Sequence, residues 1–307
     1  MFMQFHVDAW NPGFGSSAEA TDRGPTASST AKLDTNIEVD AKKWQPIDPP
    51  AGLSAPQRVL LVDGVRRTDA RLWIGLHPGL ACSYAAGVVE CTPGQAKLAA
   101  AQVQRTIFTS AEEVSDVGTA PARYRAVCVQ GADEAGLSNA VQAHLTELEI
   151  NISSLARTDD DLLIVDGPLR SRGTLPRALG YVKTQQKQYL PESLVGIVTA
   201  LKPGQRTPVF LIGGIYQRIT WYLKLPGGSG APWAGIVRVE CSAELPEHEA
   251  IRLAGLSAVT IPRFASVPYK DPRAPQNLIP IAGLEKRLRQ LLGDPKLLHR
   301  ALVRASA

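Results

Sequence analysis

The sequence predicts an α/β or α+β chain built around a mixed sheet, and three observations carry this. Two runs, Val59-Leu60-Leu61-Val62 and Leu162-Leu163-Ile164-Val165, are branched and apolar without a polar break. Such runs read as central strands covered on both faces. A helical pattern over 135–156 leads directly into the second run, and a strand–helix–strand unit favours parallel pairing. Strand-like segments dominate before this unit, and helices alternate with strands after it.

In chain order, residues 1–50 form an extended N-terminal arm and 51–307 one larger domain. Gly, Ser, Thr, Ala and Pro are frequent between Asn11 and Lys32, with Phe5, Trp10 and Trp44 as isolated aromatics. That pattern suits an arm pinned at a few anchor points, with its own body as the expected support. The body opens with strands at 57–65 and 70–76, joined by Arg66-Arg67-Thr68-Asp69 as a hairpin. Further strands are expected at 85–91, 104–108 and 124–130. In the helix over 135–156, Val141, Leu145, Leu148, Ile152 and Leu155 make one apolar stripe, and Ser138 is a candidate N-cap. A second helix is expected at 191–201, with Pro191 at its start. Strands follow at 208–212, 217–225 and 234–241, then a helix at 247–258. A polar, proline-rich loop spans 271–277. Two terminal helices, 284–292 and 296–303, are broken at Gly293-Asp294-Pro295. No internal repeat is visible.

The bulk composition narrows the function classes. The chain has 307 residues, 44% hydrophobic and 20% charged, which is ordinary for a globular protein. No apolar run is long enough to span a bilayer, and the opening residues lack the pattern of a signal peptide. A cytoplasmic protein is the expectation. Cys82, Cys91, Cys128 and Cys241 are scattered and form no Cys-x-x-Cys pair, which argues against structural zinc. The formal charge of +4 permits a polyanionic partner without requiring one. Phosphate-loop, Gly-x-Ser-x-Gly and His-Glu-x-x-His motifs are absent.

The chemistry-bearing feature is a pair of aspartates. Asp63 and Asp166 each end a buried apolar run, and each is followed by glycine. Asp-Gly is a common turn pair, so one such site is unremarkable. Two alike suggest neighbouring strands that present carboxylates to one point, where a cation must meet them. The helix before Asp166 supplies a third acid. Glu149 lies about 80° from the centre of the apolar stripe and Glu147 about 120° away on the other flank, so Glu149 borders the buried face. Hard divalent ions such as Mn²⁺ or Mg²⁺ suit this oxygen donor set, and a pair of them can activate water and stabilise the leaving oxygen of a phosphodiester. Arg170, Arg172, Lys183 and Lys187 follow Asp166 and are candidates to neutralise phosphates of a bound strand. Lys183 stands out because Gly180-Tyr181-Val182 fixes its position. The loop from Tyr269 through Arg273 to Asn277 is dense in polar groups and stiffened by two prolines. His299 sits in an apolar helical context and reads as packing.

Taken in order, these pieces resemble the NurA nuclease family. Val62-Asp63-Gly64 lies on an early strand, an acidic helix carries Glu149, and Val165-Asp166-Gly167-Pro168-Leu169 and Gly180-Tyr181-Val182-Lys183 follow. The resemblance spans most of 50–300. It implies a ribonuclease-H-like mixed sheet flanked by helices, and a manganese-dependent nuclease acting on DNA ends. It also implies a homodimer docked on a hexameric HerA-type ATPase, in DNA repair or phage defence. Asp63, Glu149 and Asp166 take the positions of the family's metal-binding acids, and Tyr269 matches its C-terminal tyrosine. DNA contacts are expected from Arg170, Arg172, Lys183, Lys187 and Arg273. Two other readings stay open: a catalytically silent adaptor that guides DNA for a motor ATPase, and an enzyme of the same fold acting on RNA.

Overall fold

The computed structural model describes residues 6–7, 25, 27–158, 161–173, 175–227, 232–267, 269 and 274–306. The short strands β1 (His6–Val7), β2 (Ala27–Ser28) and β3 (Leu33–Asp34) precede three long ones, β4 (Val59–Ile74), β5 (His77–Thr92) and β6 (Gln95–Thr109). Then come β7 (Val117–Gly118), β8 (Arg123–Cys128), helix α1 (Glu134–Ala156), β9 (Leu162–Asp166), β10 (Ala178–Val182) and β11 (Lys187–Gln188). The chain continues through α2 (Glu192–Thr199), β12 (Phe210–Ile212), β13 (Arg218–Lys224), β14 (Ile236–Ser242), α3 (Glu247–Thr260), α4 (Ile279–Leu291) and α5 (Pro295–Ala305).

One twelve-stranded sheet runs through the molecule in the order β3-β12-β13-β14-β10-β9-β4-β5-β6-β8-β7, with β1 on β4. The mixed α/β class expected from the sequence is what the chain adopts. β4, β5 and β6 form an antiparallel meander, α1 crosses over, and β9 returns parallel to β4 with β10 parallel to β9. Strand alternation sorts the side chains into layers. Leu60, Val62, Leu163 and Val165 pack under α1, whereas Leu61, Val65, Leu162 and Ile164 face the layer of α3 and α4. Both faces are covered, as the unbroken apolar runs require.

The expected hairpin at Arg66-Arg67-Thr68-Asp69 is absent. These residues lie inside β4, a single sixteen-residue strand, and the turn comes at Gly75-Leu76, where Gly75 takes a φ of 58°. The charged run survives in a strand because its aspartate is satisfied. Asp69 is buried, and it accepts from Arg67 Nε at 2.8 Å, from Tyr124 at 3.0 Å and from Ser83. A bulge between Thr68 and Ala70 shifts the register by one, which returns Ala70, Leu72 and Ile74 to the covered face. Helix α1 is capped by Asp133, whose side chain accepts from Gly136 N at 2.8 Å, rather than by Ser138. Leu155, expected in its stripe, is 80% exposed.

Residues 27–58 lie along the body. β3 extends the sheet beside β12, and β2 pairs with β11. Trp44 is buried against Phe210, and its indole N–H donates to Thr35 O at 2.9 Å. Arg206 donates to both oxygens of Glu38 at 2.8 Å, and Val209 N donates to the same carboxylate. Arg206 is 3% exposed. Breaking a buried pair strands the remaining charge, so Arg206→Met is expected to lower the unfolding free energy by about 3 kcal/mol. Limited proteolysis of that variant should cut within 27–50 before the body is attacked.

Candidate functional site

The site forms where β4 and β9 run side by side. Their register pairs Val62 with Val165, so Asp63 and Asp166 stand level on neighbouring strands. Both belong to the alternation set that faces α4. Across the other edge of β4, Asp63 is paired with Gly87 of β5. A side chain at Gly87 would meet Leu284 and Leu288 at 3.0 Å, so this glycine lets α4 approach closely. Leu284 and Leu288 bring Glu285 down beside the aspartates. Asp63, Asp166 and Glu285 each present a carboxylate oxygen, all within 4.8 Å of one another.

Lys183, one residue beyond β10, reaches into this group. Its ammonium lies 2.6 Å from Asp166 Oδ2 and donates to Asn277 Oδ1 at 3.0 Å. Tyr181 holds the neighbouring segment by donating to Gln276 O at 2.6 Å. Arg289 approaches Glu285 at 3.9 Å. Among the described residues no cation pairs Asp63, which accepts from Gly64 N at 2.7 Å. Burial, reinforced by the Asp166 charge and then by Glu285, pushes the Asp63 carboxyl well above the usual carboxylate range, and Lys183 opposes this. The donor set is hard oxygen and clustered, and it fits a divalent cation such as Mn²⁺ or Mg²⁺.

Glu149 is not part of this group. It is buried on α1 and comes against Gly64, where a Cβ would lie 2.5 Å from its carboxylate oxygen. Gly64 points to the α1 face and Asp63 to the α4 face, so Glu149 and the aspartates are separated by the sheet itself. Its carboxylate pairs with Arg172, which is 6% exposed. Burial pushes Arg172 down to about 10, with the Asp63 charge working the other way. Glu147 is exposed. Tyr269 is 83% exposed and does not line the cleft described next, and Arg273 lies outside the described residues. His299 sits near Asp69 O at 3.0 Å, away from the carboxylates.

A cleft of about 830 Å³ opens over the carboxyl ends of β9 and β10 and contains all three acids. Arg66, Arg170, Lys183, Lys187 and Arg289 line it, together with Arg218, Arg238, Tyr189 and Tyr216 from further along the sheet. Of the basic residues expected to meet phosphates, Arg170, Lys183 and Lys187 are on its wall, whereas Arg172 lies beneath in its pair with Glu149. Sequence reasoning missed Glu285. Its trace was present, since Ile281, Leu284 and Leu288 make a stripe that Glu285 borders. Surrounding Lys286, Arg287 and Arg289 made the helix look like a solvated basic face.

The raised Asp63 carboxyl means that its ionised form disfavours the folded state. Without metal, stability is therefore fully retained below the usual aspartate range and declines as pH rises toward the elevated folded value. Asp63→Asn removes that penalty. At pH 7 in EDTA it is expected to be more stable than the native chain by on the order of 1 kcal/mol, with the difference vanishing near pH 3.5. Chemical denaturation at the two pH values checks this.

No protein-family model and no curated protein matches the chain. Among solved structures it is similar to the NurA nuclease from Sulfolobus solfataricus, with 10% identity over 84% of this chain and 88% of that one and a TM-score of 0.47. It is also similar to an endonuclease V from Bacillus subtilis, with 11% identity over 80% and 84% and a TM-score of 0.38. For a NurA crystallised with dAMP and manganese the identity is 14%, over 44% of this chain and 24% of that one, with a TM-score of 0.22. Likenesses this distant carry no chemistry across, so the function is argued from the chain's own residues.

Proposed function

We propose that the chain is a metal-dependent nuclease that hydrolyses phosphodiester bonds of DNA. The observation that carries this reading is the cluster of Asp63, Asp166 and Glu285 beside Lys183, inside a cleft walled by basic side chains. Mn²⁺ or Mg²⁺ held by the three carboxylates would supply Lewis-acid stabilisation of a phosphoryl oxygen and a more acidic water. Strand pairing fixes the backbone positions from which Asp63 and Asp166 reach the cluster, and Glu285 closes the set from α4. Lys183 stands at the rim of the cluster, where its ammonium can meet charge developing on a phosphate. Arg170 and Lys187 offer charge to phosphates along the cleft.

The association with a HerA-type hexameric ATPase, a homodimeric state and a role in DNA-end processing belong to this proposal through the sequence resemblance alone. One observation favours the silent-adaptor reading: the Lys183 ammonium already engages Asp166, so part of the metal position has a resident cation. The two readings differ in whether divalent metal displaces it.

Cleavage of end-labelled linear DNA with Mn²⁺ tests the proposal, with and without a cognate ATPase. The native chain is expected to cleave, and Asp166→Asn and Glu285→Gln to lose at least about a hundredfold in rate, on the scale of other electrostatic contributions to catalysis. Absence of cleavage by the native chain under both conditions would support the adaptor. Glu149→Gln separates structure from chemistry. It is expected to cost about 3 kcal/mol of stability by stranding Arg172, while Mn²⁺ affinity measured by calorimetry stays within about twofold of native. Because Asp63 must release its proton to bind metal, Mn²⁺ affinity is expected to fall as pH is lowered through the raised Asp63 value.

A further inference from the structure

β13 and β14 build a second cluster on the sheet face opposite the three carboxylates. Arg238 Nη1 lies 2.6 Å and Arg218 Nε 3.2 Å from the same oxygen of Glu240. Glu240 is fully buried, and its other oxygen accepts from Leu169 N at 2.8 Å. The Arg218 guanidinium lies 5.4 Å from the Tyr189 ring centre and 5.5 Å from that of Tyr216, and Arg238 lies 5.2 Å from Tyr189. Glu240 and the rings thus hold both guanidiniums in place.

The charges in this cluster do not balance. Two arginines share one carboxylate, and Arg238 is only 5% exposed. A buried positive charge without its own counter-ion is costly, and an anion entering the cleft would relieve it. A second observation points the same way. Gln185 is 6% exposed, lines the same cleft, and its amide nitrogen makes no hydrogen bond among the described residues. A donor buried without an acceptor is uncommon in a folded protein.

We propose that Arg218, Arg238 and Gln185 form an anion subsite that takes a flanking phosphate of the strand bound at the carboxylates, and that the cleft therefore admits single-stranded rather than duplex DNA. This deepens the nuclease reading and rests on it for the identity of the bound strand. In the sheet, Asp166 pairs with Tyr181 and Tyr181 with Val239, so Arg238 belongs to a strand two positions away from Asp166. Two strand spacings are about 10 Å. A flexible strand can lay successive phosphates across that distance over the sheet edge. The phosphates of a rigid duplex are fixed on its outer rim and cannot turn inward to a guanidinium that is 5% exposed, as Arg238 is.

The test is fluorescence anisotropy with a labelled oligothymidylate of about eight residues, alone and annealed to its complement, in Ca²⁺ and over a range of salt, the slope reporting phosphates engaged. Native protein is expected to bind the single strand at least about tenfold tighter than the duplex. Arg238→Gln is expected to weaken single-strand binding about tenfold and to reduce the slope of log affinity against log salt by about 0.7, the loss of one phosphate contact. Gln185→Leu, which leaves Glu240 paired, is expected to weaken binding at least about tenfold, as loss of one hydrogen bond to a charged group does. Mn²⁺ affinity at the carboxylates should be native in both variants. Unchanged affinity and slope in folded Arg238→Gln, equal binding of duplex, or no binding of the single strand by native protein would overturn the proposal. If Arg238→Gln does not fold, Gln185→Leu decides: native affinity in that variant overturns the subsite. Failure of native protein to bind Mn²⁺ would remove the nuclease reading alone, because strand binding is read separately.

Discussion

The parallel pairing of β4 with β9 is the constraint on which the rest depends. It sets Asp63 and Asp166 side by side at one level of the sheet, inside a layer that is otherwise apolar. Two carboxylates in that position repel each other and are poorly hydrated, and the surroundings are shaped by the need to compensate them. Lys183 is delivered by the next strand over, β10, through its own parallel register with β9. A glycine opposite Asp63 admits α4, which brings a third acid, Glu285, against the pair. Adding an acid to a repelling pair makes sense as a binding device and not as a packing one. That is the physical reason the cluster reads as a place for a cation.

Strand alternation decides which side chains can join. Asp63 and Gly64 are adjacent in sequence yet face opposite layers, so acids drawn to one residue are separated by the sheet from those drawn to the other. Glu149 falls on the Gly64 side and is neutralised by Arg172, making a buried pair of its own. The same arithmetic separates the carboxylates from the Arg218, Arg238 and Glu240 group, which lies with the α1 and α2 layer. Arg218 and Arg238 nevertheless line the same cleft as the carboxylates, and Glu240 beneath them fastens the loop after β9 through Leu169 N. The crevice beyond the carboxyl ends of parallel strands is where open α/β sheets commonly place their ligands.

The arm and the bulge show how polar sequence is accommodated in a sheet this wide. Glu38 reaches Arg206 and the Val209 amide, which holds the segment after β3 against the sheet edge where β3 pairs with β12. The run from Arg66 to Asp69 is charged enough to look like a turn, yet Ser83, Tyr124 and Arg67 satisfy Asp69 across three segments, and the bulge restores the apolar alternation after it. Partners distant in sequence converted a local turn signal into strand.

The sequence by itself determined the mixed α/β class, the two central strands and the crossover helix, and it marked Asp63 and Asp166 as a candidate pair, whose level placement the β4–β9 register supplied. These follow from apolar runs and helical periodicity, which are local and strong. It also singled out Lys183, because the apolar Gly180-Tyr181-Val182 before it fixes its position, but that this segment is a strand beside β9 came from the fold. Only the tertiary structure decided that Glu285, 119 positions beyond Asp166 in the numbering, completes the carboxylate group, and that Glu149 faces away from it. Periodicity tells which face of an element is apolar but not which other element will cover it. The third acid was settled by the packing of α4 on Gly87 and by the side of the sheet on which each helix lies.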